Sequence, residues 1–200
     1  MLLDKLPINL FLLATYAYFC AVFAYYVFMR FKYCPDCGNM LSSRALGDEG
    51  LVPWCDRCAK PWFDMFPVAA IALVYNERGE VLLLRQNYIS TEFHNLVSGY
   101  VMPGENAETC AVREIFEETG QRVEELELVF TNWFDRKEMM MIGFFARVKA
   151  SEIVLSSEVD SAAWHNPDEI MELVSTRPGS ASRLLCEKYL ERIASSAAGR

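Results

Sequence analysis

Three glutamates of this chain lie close together in a segment with helical periodicity. Glu114, Glu117 and Glu118 are three and four residues apart, so a helix would carry them on one face, where like charges repel. A second stripe of the segment is apolar and can pack into a core: Ala111, Val112, Ile115 and Phe116. Because that stripe anchors the helix, the helix cannot rotate to move the acids apart.

Two interpretations of this acidic face are open from the spacing alone. Glutamates on a helix usually form a solvated surface. The alternative is that a divalent cation lies among the carboxylates and removes their repulsion. Oxygen ligands in this number suit Mg²⁺ or Mn²⁺, and these cations commonly bind substrate phosphates as well.

Four of the seven cysteines form two C-x-x-C pairs. Seventeen residues separate the pair Cys34 and Cys37 from the pair Cys55 and Cys58, a spacing typical of a zinc ribbon. Four thiolates fill the tetrahedral shell of Zn²⁺ and leave no position for water, so the predicted site is structural and catalysis lies elsewhere. The alternatives are two disulfides or four unliganded thiols.

Composition and charge limit the partners. With 52% hydrophobic and 23% charged residues the chain is expected to fold. Its net charge is −8, and since residues 1–33 contain three bases and one acid, the remainder carries −10. An extended phosphate backbone gains nothing from such a charge, so a small nucleotide is expected as substrate and no nucleic acid as partner.

The N-terminal segment is apolar. Residues 6–29 contain no formal charge, and a helix of 24 residues is long enough to span a bilayer. Arg30 and Lys32 outweigh Lys5, so the rest of the chain is expected in the cytoplasm or anchored to the cytoplasmic face of a membrane. Two alternatives remain: a hydrophobic helix packed against the body or a dimer partner, and a translation start at Met29.

The remaining pattern predicts three parts, residues 1–33, 34–60 and 61–200. The last part has mixed strands with helices between and after them, which favours an α/β/α or α+β sandwich. Its predicted strands are 68–75, 81–85, 93–101, 127–134, 140–148 and 162–164. Its predicted helices are 107–119, one ending near 174, and 181–193.

A longer pattern surrounds the acidic helix. Gly99, Glu105 and residues 113–120 stand at the spacing G-x5-E-x7-R-E-U-x-E-E-x-G-U, which resembles the box of Nudix hydrolases at every fixed position. Only Gln121 departs, where an apolar residue is usual, and this concerns packing after the helix more than metal chemistry. The resemblance implies the Nudix sandwich fold and hydrolysis of a nucleoside diphosphate linked to another group.

The resemblance also implies roles for individual residues. Glu114, Glu117 and Glu118 would bind the divalent cations, and Arg113 would orient the glutamates. Nudix enzymes often recruit a further acid outside the box, and Glu158 is the first candidate for this additional ligand or base. The alternative for Glu158 is a surface acid beside Asp160.

A four-cysteine ribbon before a Nudix domain is similar to the NAD(H) pyrophosphatase branch, which produces nicotinamide mononucleotide and AMP and suggests a homodimer. A residue matching Ser182 approaches the substrate in that branch. Its S-Q-P-W-P-F-P-x-S segment is replaced here by residues 131–139, where Trp133 and Phe134 could still stack on a base or nicotinamide ring. ADP-ribose or another nucleotide sugar is the competing substrate.

Two classes of function remain open after this comparison. The first is a divalent-metal-dependent diphosphatase, and the second is a membrane-tethered protein that binds a nucleotide without cleaving it. The intact glutamates favour the enzyme, since a binding protein has no need of a repulsive acidic cluster. Removal of an RNA cap is a third function, for which the negative charge of the body gives no electrostatic help.

Overall fold

The computed structural model describes residues 31–198. The predicted apolar helix at residues 6–29 lies outside this range. Among the residues that are described, no helix combines the length and apolar character needed to cross a membrane. Contacts divide the chain into two compact units, Met1–Met65 and Phe66–Arg200.

The described part of the first unit is a small three-stranded antiparallel sheet. Its strands are β1 (Ser42–Ala45), β2 (Leu51–Cys55) and β3 (Lys60–Pro61), with a 3-10 turn at Gly47–Glu49. Its buried apolar core consists of Cys34, Leu41 and Cys55. A core this small indicates that the unit needs an additional cross-link, as in small domains stabilised by a metal.

The second unit is built on a mixed six-stranded sheet. Its strands are β4 (Val68–Tyr75), β5 (Val81–Arg85), β6 (Val97–Tyr100), β7 (Val123–Phe134), β8 (Met139–Val148) and β9 (Ser161–His165). The order is β7-β8-β4-β5-β9, and β6 pairs with β4 beside β5. Strands β4 and β8 are parallel, and the other pairs are antiparallel.

Helices cover both faces of this sheet. They are α1 (Ala107–Thr119), the single turn α2 (Ile170–Leu173) and α3 (Ala181–Ala198). Alternate residues of a strand point to opposite faces, so Leu82 and Leu84 pack with α1 whereas Leu83 packs with α3. The predicted sandwich is therefore confirmed.

Element bounds differ from the prediction mainly at β6, at β7 and at α3, which continues to Ala198 instead of ending near residue 193. Strand β7 begins at Val123 because its pairing with β8 continues through two irregularities, at Val123/Glu125 and Leu128/Phe130. Each extra residue shifts the alternation of side chains between faces, which conceals the strand in the sequence. Residues 93–96 are not part of β6, and two of them, His94 and Asn95, form isolated bridges with Val174 and Leu84.

Candidate active site

Helix α1 is fixed at both ends and along its apolar stripe. The Asn106 side chain accepts a hydrogen bond from the Thr109 N–H (2.7 Å), and Gly120 ends the helix in the left-handed conformation (φ 71°). Cys110, Ala111 and Ile115 are buried against the sheet, whereas Val112 and Phe116, which were predicted to belong to the apolar stripe, are exposed. These contacts fix the direction in which the acidic face of α1 points.

Strand β6 approaches the acidic face at Gly99. A Cβ atom at this position would overlap the carboxyl group of Glu114. Only glycine therefore allows the Glu114 carboxylate to lie directly against the strand.

The guanidinium of Arg113 joins three carboxylates. Arg113 Nε and Nη2 donate to the two oxygens of Glu105 at 2.8 and 3.0 Å, and Nη1 donates to Glu114 Oε1 at 2.6 Å and to Glu117 Oε2 at 3.0 Å. Nη2 also donates to the carbonyl oxygen of Tyr100 (3.2 Å). Hydrogen bonding to Arg113 lowers the pKa of Glu105 to about 2. The loop carboxylate and the helix carboxylates are thus held by one side chain.

Glu118 has a different environment from its neighbours. It is 4% exposed, and its Oε1 accepts a hydrogen bond from Gln86 Nε2 (2.9 Å). Its Oε2 makes no hydrogen bond in the described structure, although the backbone N–H of Ser98 is near enough to lower the pKa somewhat. Burial, followed by the charge of Glu114, raises the pKa of Glu118 to about 7.

The chemistry of these carboxylates suits a hard divalent cation, but their oxygens do not converge as the sulfurs of the first unit do: among the described residues, only the four cysteines bring three or more ligand atoms within 4.8 Å of one another. A buried carboxylate oxygen without a partner is costly, and a cation beside it would remove that cost. Carboxylates of Glu114, Glu117 and Glu118 supply the oxygen ligands that Mg²⁺ and Mn²⁺ prefer. The hydrogen bond from Gln86 ends on Oε1, so Oε2 is the oxygen of Glu118 that can accept a ligand.

A cavity of about 460 Å³ lies between the residues that follow β5 and the loop that precedes β9. Its lining consists of Asn87, Tyr88, Ser157, Glu158 and Asp160. The charge of Glu158 contributes to the raised pKa of both Tyr88 and Glu118, so Glu158 lies near the acidic face of α1. Asp160 lines the same cavity, but its carboxylate is already hydrogen-bonded, because Oδ2 accepts from the Asn87 N–H (2.7 Å). Of the two acids, Glu158 is the one whose carboxylate has no hydrogen bond within residues 31–198.

The two aromatic residues proposed to contact substrate lie on opposite faces of the sheet. Trp133 pairs with Met140 and Phe134 with Met139 at the end of β7, and consecutive strand residues point in opposite directions. Trp133 is exposed and packs edge-on against Phe66, with ring centroids 5.3 Å apart. The two rings therefore cannot stack on a substrate as one surface.

Ser182 lies in the first turn of α3. Helix α3 packs on the face of the sheet opposite to α1. Among the hydrogen bonds of the described chain, none joins Ser182 to the acidic cluster. The substrate contact suggested for Ser182 stays a prediction.

Two glutamines of the second unit are buried, and neither burial was predicted from the sequence. Gln86 occupies the next alternate position after Leu82 and Leu84, whose side chains face α1. A polar residue in this apolar series is the feature of the sequence that could have identified it. Gln121 is fully buried, and its side chain is hydrogen-bonded to Thr119, Ser151 and the carbonyl oxygen of Glu152. Those bonds explain the departure from the box, because Gln121 ties the end of α1 to a distant loop.

The four predicted cysteine ligands converge in the first unit. The Sγ atoms of Cys34, Cys37, Cys55 and Cys58 all lie within 4.8 Å of one another. Cys34 and Cys58 are 3.9 Å apart and Cys37 and Cys55 are 3.5 Å apart, whereas tetrahedral Zn–S bonds of about 2.3 Å place sulfurs roughly 3.8 Å apart. All four thiols are free of disulfides. The cluster therefore fits zinc.

Relatives of this chain align with most of its length. The NAD-capped RNA hydrolase NudC of Stutzerimonas stutzeri is 30% identical over 163 residues, which cover 80% of this chain and 56% of that protein. The protein of the same name from Pseudomonas aeruginosa is 31% identical with the same coverage. The chain thus spans about half the length of the curated relatives it matches.

The fold is shared with a crystal structure of a NUDIX hydrolase from Nitrosomonas europaea, with a TM-score of 0.61 and 20% identity. That alignment covers 81% of this chain and 92% of the other, and it establishes likeness of fold. The NUDIX domain family model matches residues 65–185, a range that includes Gly99, Glu105 and all of α1. Sequence, fold and the carboxylate site agree, and the chain belongs to the NUDIX family.

Proposed function

We propose that this chain hydrolyses the diphosphate bond of NAD(H) and releases nicotinamide mononucleotide and AMP, with Mg²⁺ or Mn²⁺ bound at the acidic face of α1. The observation that carries this proposal is the arrangement around Arg113. One guanidinium holds Glu105, Glu114 and Glu117, while Glu118 keeps a buried carboxylate oxygen without a hydrogen-bond partner among the described residues.

The residues of the chain have separate tasks in this reaction. Glu114, Glu117 and Glu118 would hold the cation, which when bound neutralises the diphosphate and lowers the pKa of a water molecule. Arg113 keeps Glu114 and Glu117 in place, because its guanidinium is itself fixed by two hydrogen bonds to Glu105. Fixed ligands lower the cost of reorganisation during the reaction.

Glu158 is suited to accept the proton of the attacking water. It lines the cavity, lies near Glu118, and its carboxylate has no hydrogen bond elsewhere in the described chain. The water oxygen bonds to one phosphorus, the bridging phosphorus–oxygen bond breaks, and the proton passes to the base. This base would leave the three helix glutamates ionised as ligands.

The choice of NAD(H) rests on the relatives and on the ribbon. Both relatives described above are named as hydrolases of NAD-capped RNA, and the cysteine cluster lies directly before the NUDIX domain here. RNA with a 5′ NAD cap is therefore a second candidate substrate, since its diphosphate is the same chemical group. The net charge of −8 favours the small dinucleotide.

Turnover of four compounds tests the proposal. NADH, NAD, ADP-ribose and a short NAD-capped RNA are incubated with the full chain, with and without Mn²⁺, and the products are separated by chromatography. We expect Mn²⁺-dependent release of AMP and the mononucleotide from NAD(H), and a loss of at least about 1,000-fold in kcat for Glu118→Gln.

Glu108→Gln is the matched control, because Glu108 lies exposed in the first turn of α1 and takes no part in the Arg113 cluster. This variant should retain wild-type turnover. Release of products without a divalent cation, or undiminished turnover by Glu118→Gln, would contradict the proposal. Binding of NAD(H) without any cleavage would identify a nucleotide-binding protein instead.

A further inference from the structure

Gln86 lies beneath the acidic face of α1 and has no part in the NUDIX box. Its side chain is 1% exposed and continues the α1-facing series of β5, after Leu82 and Leu84. We propose that Gln86 is a positioning residue of the divalent-cation site and acts through Glu118. This inference rests on the proposed metal-dependent function and assigns a further residue to it.

The contact between the two side chains sets the orientation of Glu118. Gln86 Nε2 donates to Glu118 Oε1 at 2.9 Å, and both side chains are buried. A carboxylate accepts hydrogen bonds and does not donate them, so the amide nitrogen is the atom that faces Glu118. With Oε1 occupied in this way, Oε2 is the oxygen left for a ligand.

Gln86 has an oxygen in the same situation. Its Oε1 is buried and has no hydrogen-bond partner in the described structure, as is true of Glu118 Oε2. Two acceptors of this kind need a donor or a cation nearby, because burying them unpaired is costly. A hydrated divalent cation would satisfy both, since the carboxylate can bind the ion and the carboxamide can accept from its water.

Gln121 shows what a purely structural buried glutamine looks like in this domain. Its Oε1 accepts from the N–H and the hydroxyl of Ser151, at 3.1 and 3.2 Å. Its Nε2 donates to the carbonyl oxygen of Glu152 at 3.1 Å. Every polar atom of that side chain has a partner, whereas Gln86 keeps one buried oxygen unpaired beside the carboxylate cluster.

Binding of Mn²⁺ to the zinc-loaded full chain, measured by electron paramagnetic resonance without nucleotide, tests the inference. We expect Gln86→Leu to raise the Mn²⁺ dissociation constant about 10- to 100-fold, the usual effect of removing a residue that orients a metal ligand. Gln86→Met keeps the length of the side chain but removes the donor without adding a charge, so it also should bind Mn²⁺ about 10-fold more weakly than the wild type.

Gln121→Leu is the matched control, since it makes the same substitution at a buried position away from the acids. It should unfold at a lower denaturant concentration and keep the wild-type Mn²⁺ dissociation constant. The inference is overturned if Mn²⁺ binds within twofold of wild type to a folded Gln86→Leu protein. It is also overturned if Gln121→Leu weakens Mn²⁺ binding as much.

The same measurement separates this inference from the proposed function. Wild-type protein that binds no Mn²⁺, or Glu118→Gln that binds it normally, would refute the cation site itself. If Gln86→Leu does not fold, Gln86→Met decides the question alone: unchanged Mn²⁺ affinity in that variant counts against a positioning role.

Discussion

Replacing Gly99 with alanine tests whether Glu114 must lie against strand β6 for catalysis. The added Cβ would overlap the Glu114 carboxyl group, so that group must move by about 1 Å or more to reach an ordinary contact distance. Glu114 Oε1 also accepts the 2.6 Å hydrogen bond from Arg113, which would break or lengthen. A displacement of about 1 Å in a positioned group can reduce the rate roughly 100-fold.

The stability of this variant should change little. The overlap is with the end of a side chain that can turn toward solvent, and alanine is more favourable than glycine within a strand by about 0.5–1 kcal/mol. The free energy of unfolding is therefore expected to stay within about 1 kcal/mol of wild type, since overpacking and backbone entropy oppose each other.

Gly143 in β8 provides the matched control. A Cβ at Gly143 would lie 2.7 Å from ring atoms of Phe130, within the core on the α3 side of the sheet. Gly143→Ala should therefore lower the free energy of unfolding by about 1–3 kcal/mol while kcat/KM stays within roughly threefold of wild type. The two substitutions are chemically identical and are expected to have opposite consequences.

Both variants are assayed for kcat/KM with NADH and saturating Mn²⁺, and for unfolding in urea. A Gly99→Ala protein with kcat/KM within twofold of wild type would refute the claim that Glu114 must lie where the structure has it. Loss of activity in proportion to loss of stability, in both variants alike, would show that the effect is general loosening of the fold.

Three further predictions concern Glu118, Arg113 and the cysteine cluster. Because burial raises the pKa of Glu118 above its unfolded value of about 4.5, the cation-free protein should lose stability as pH rises from 4.5 through 7; in urea, Glu118→Gln should be about 1–3 kcal/mol more stable than wild type at pH 8 and equal to it at pH 4. An equal gain at both pH values would rule out ionisation as the cause. Arg113→Lys, which cannot pair with both oxygens of Glu105, should lower kcat/KM about 10- to 100-fold, and steady-state kinetics giving a smaller change would deny Arg113 its positioning role. Purified protein should contain one zinc per chain by elemental analysis, and Cys55→Ser should lose it and unfold the ribbon unit; full zinc content in that variant would disprove the four-thiolate site.

Several site residues could be identified from the sequence because their geometry is local. Glu114, Glu117 and Glu118 share a face through the helical repeat alone, and Arg113 reaches Glu105 across a short loop. The cysteine pairs behave similarly, since each C-x-x-C turn presents two sulfurs together. Sequence spacing is enough wherever the contacts lie within one or two neighbouring elements.

The substrate contacts predicted for Trp133, Phe134 and Ser182 stay predictions. Trp133 and Phe134 are adjacent in sequence but face opposite sides of the sheet, and Ser182 lies on the α3 side. Which face a strand residue occupies depends on register, and two irregularities in β7 change that register. The face of the sheet on which these side chains lie therefore could not be deduced from the order of residues.

By itself, the amino-acid sequence determined the family, the acidic face of α1 and the four-thiolate cluster, because each depends on spacings within short stretches of chain. Only the tertiary structure decided that Gln86 holds Glu118, that Glu158 rather than Asp160 has a free carboxylate, and that Gly99 makes room for Glu114. Those contacts join strands, helix and loops far apart in the chain. They exist because packing of α1 on the sheet brings these residues together and removes water from between them.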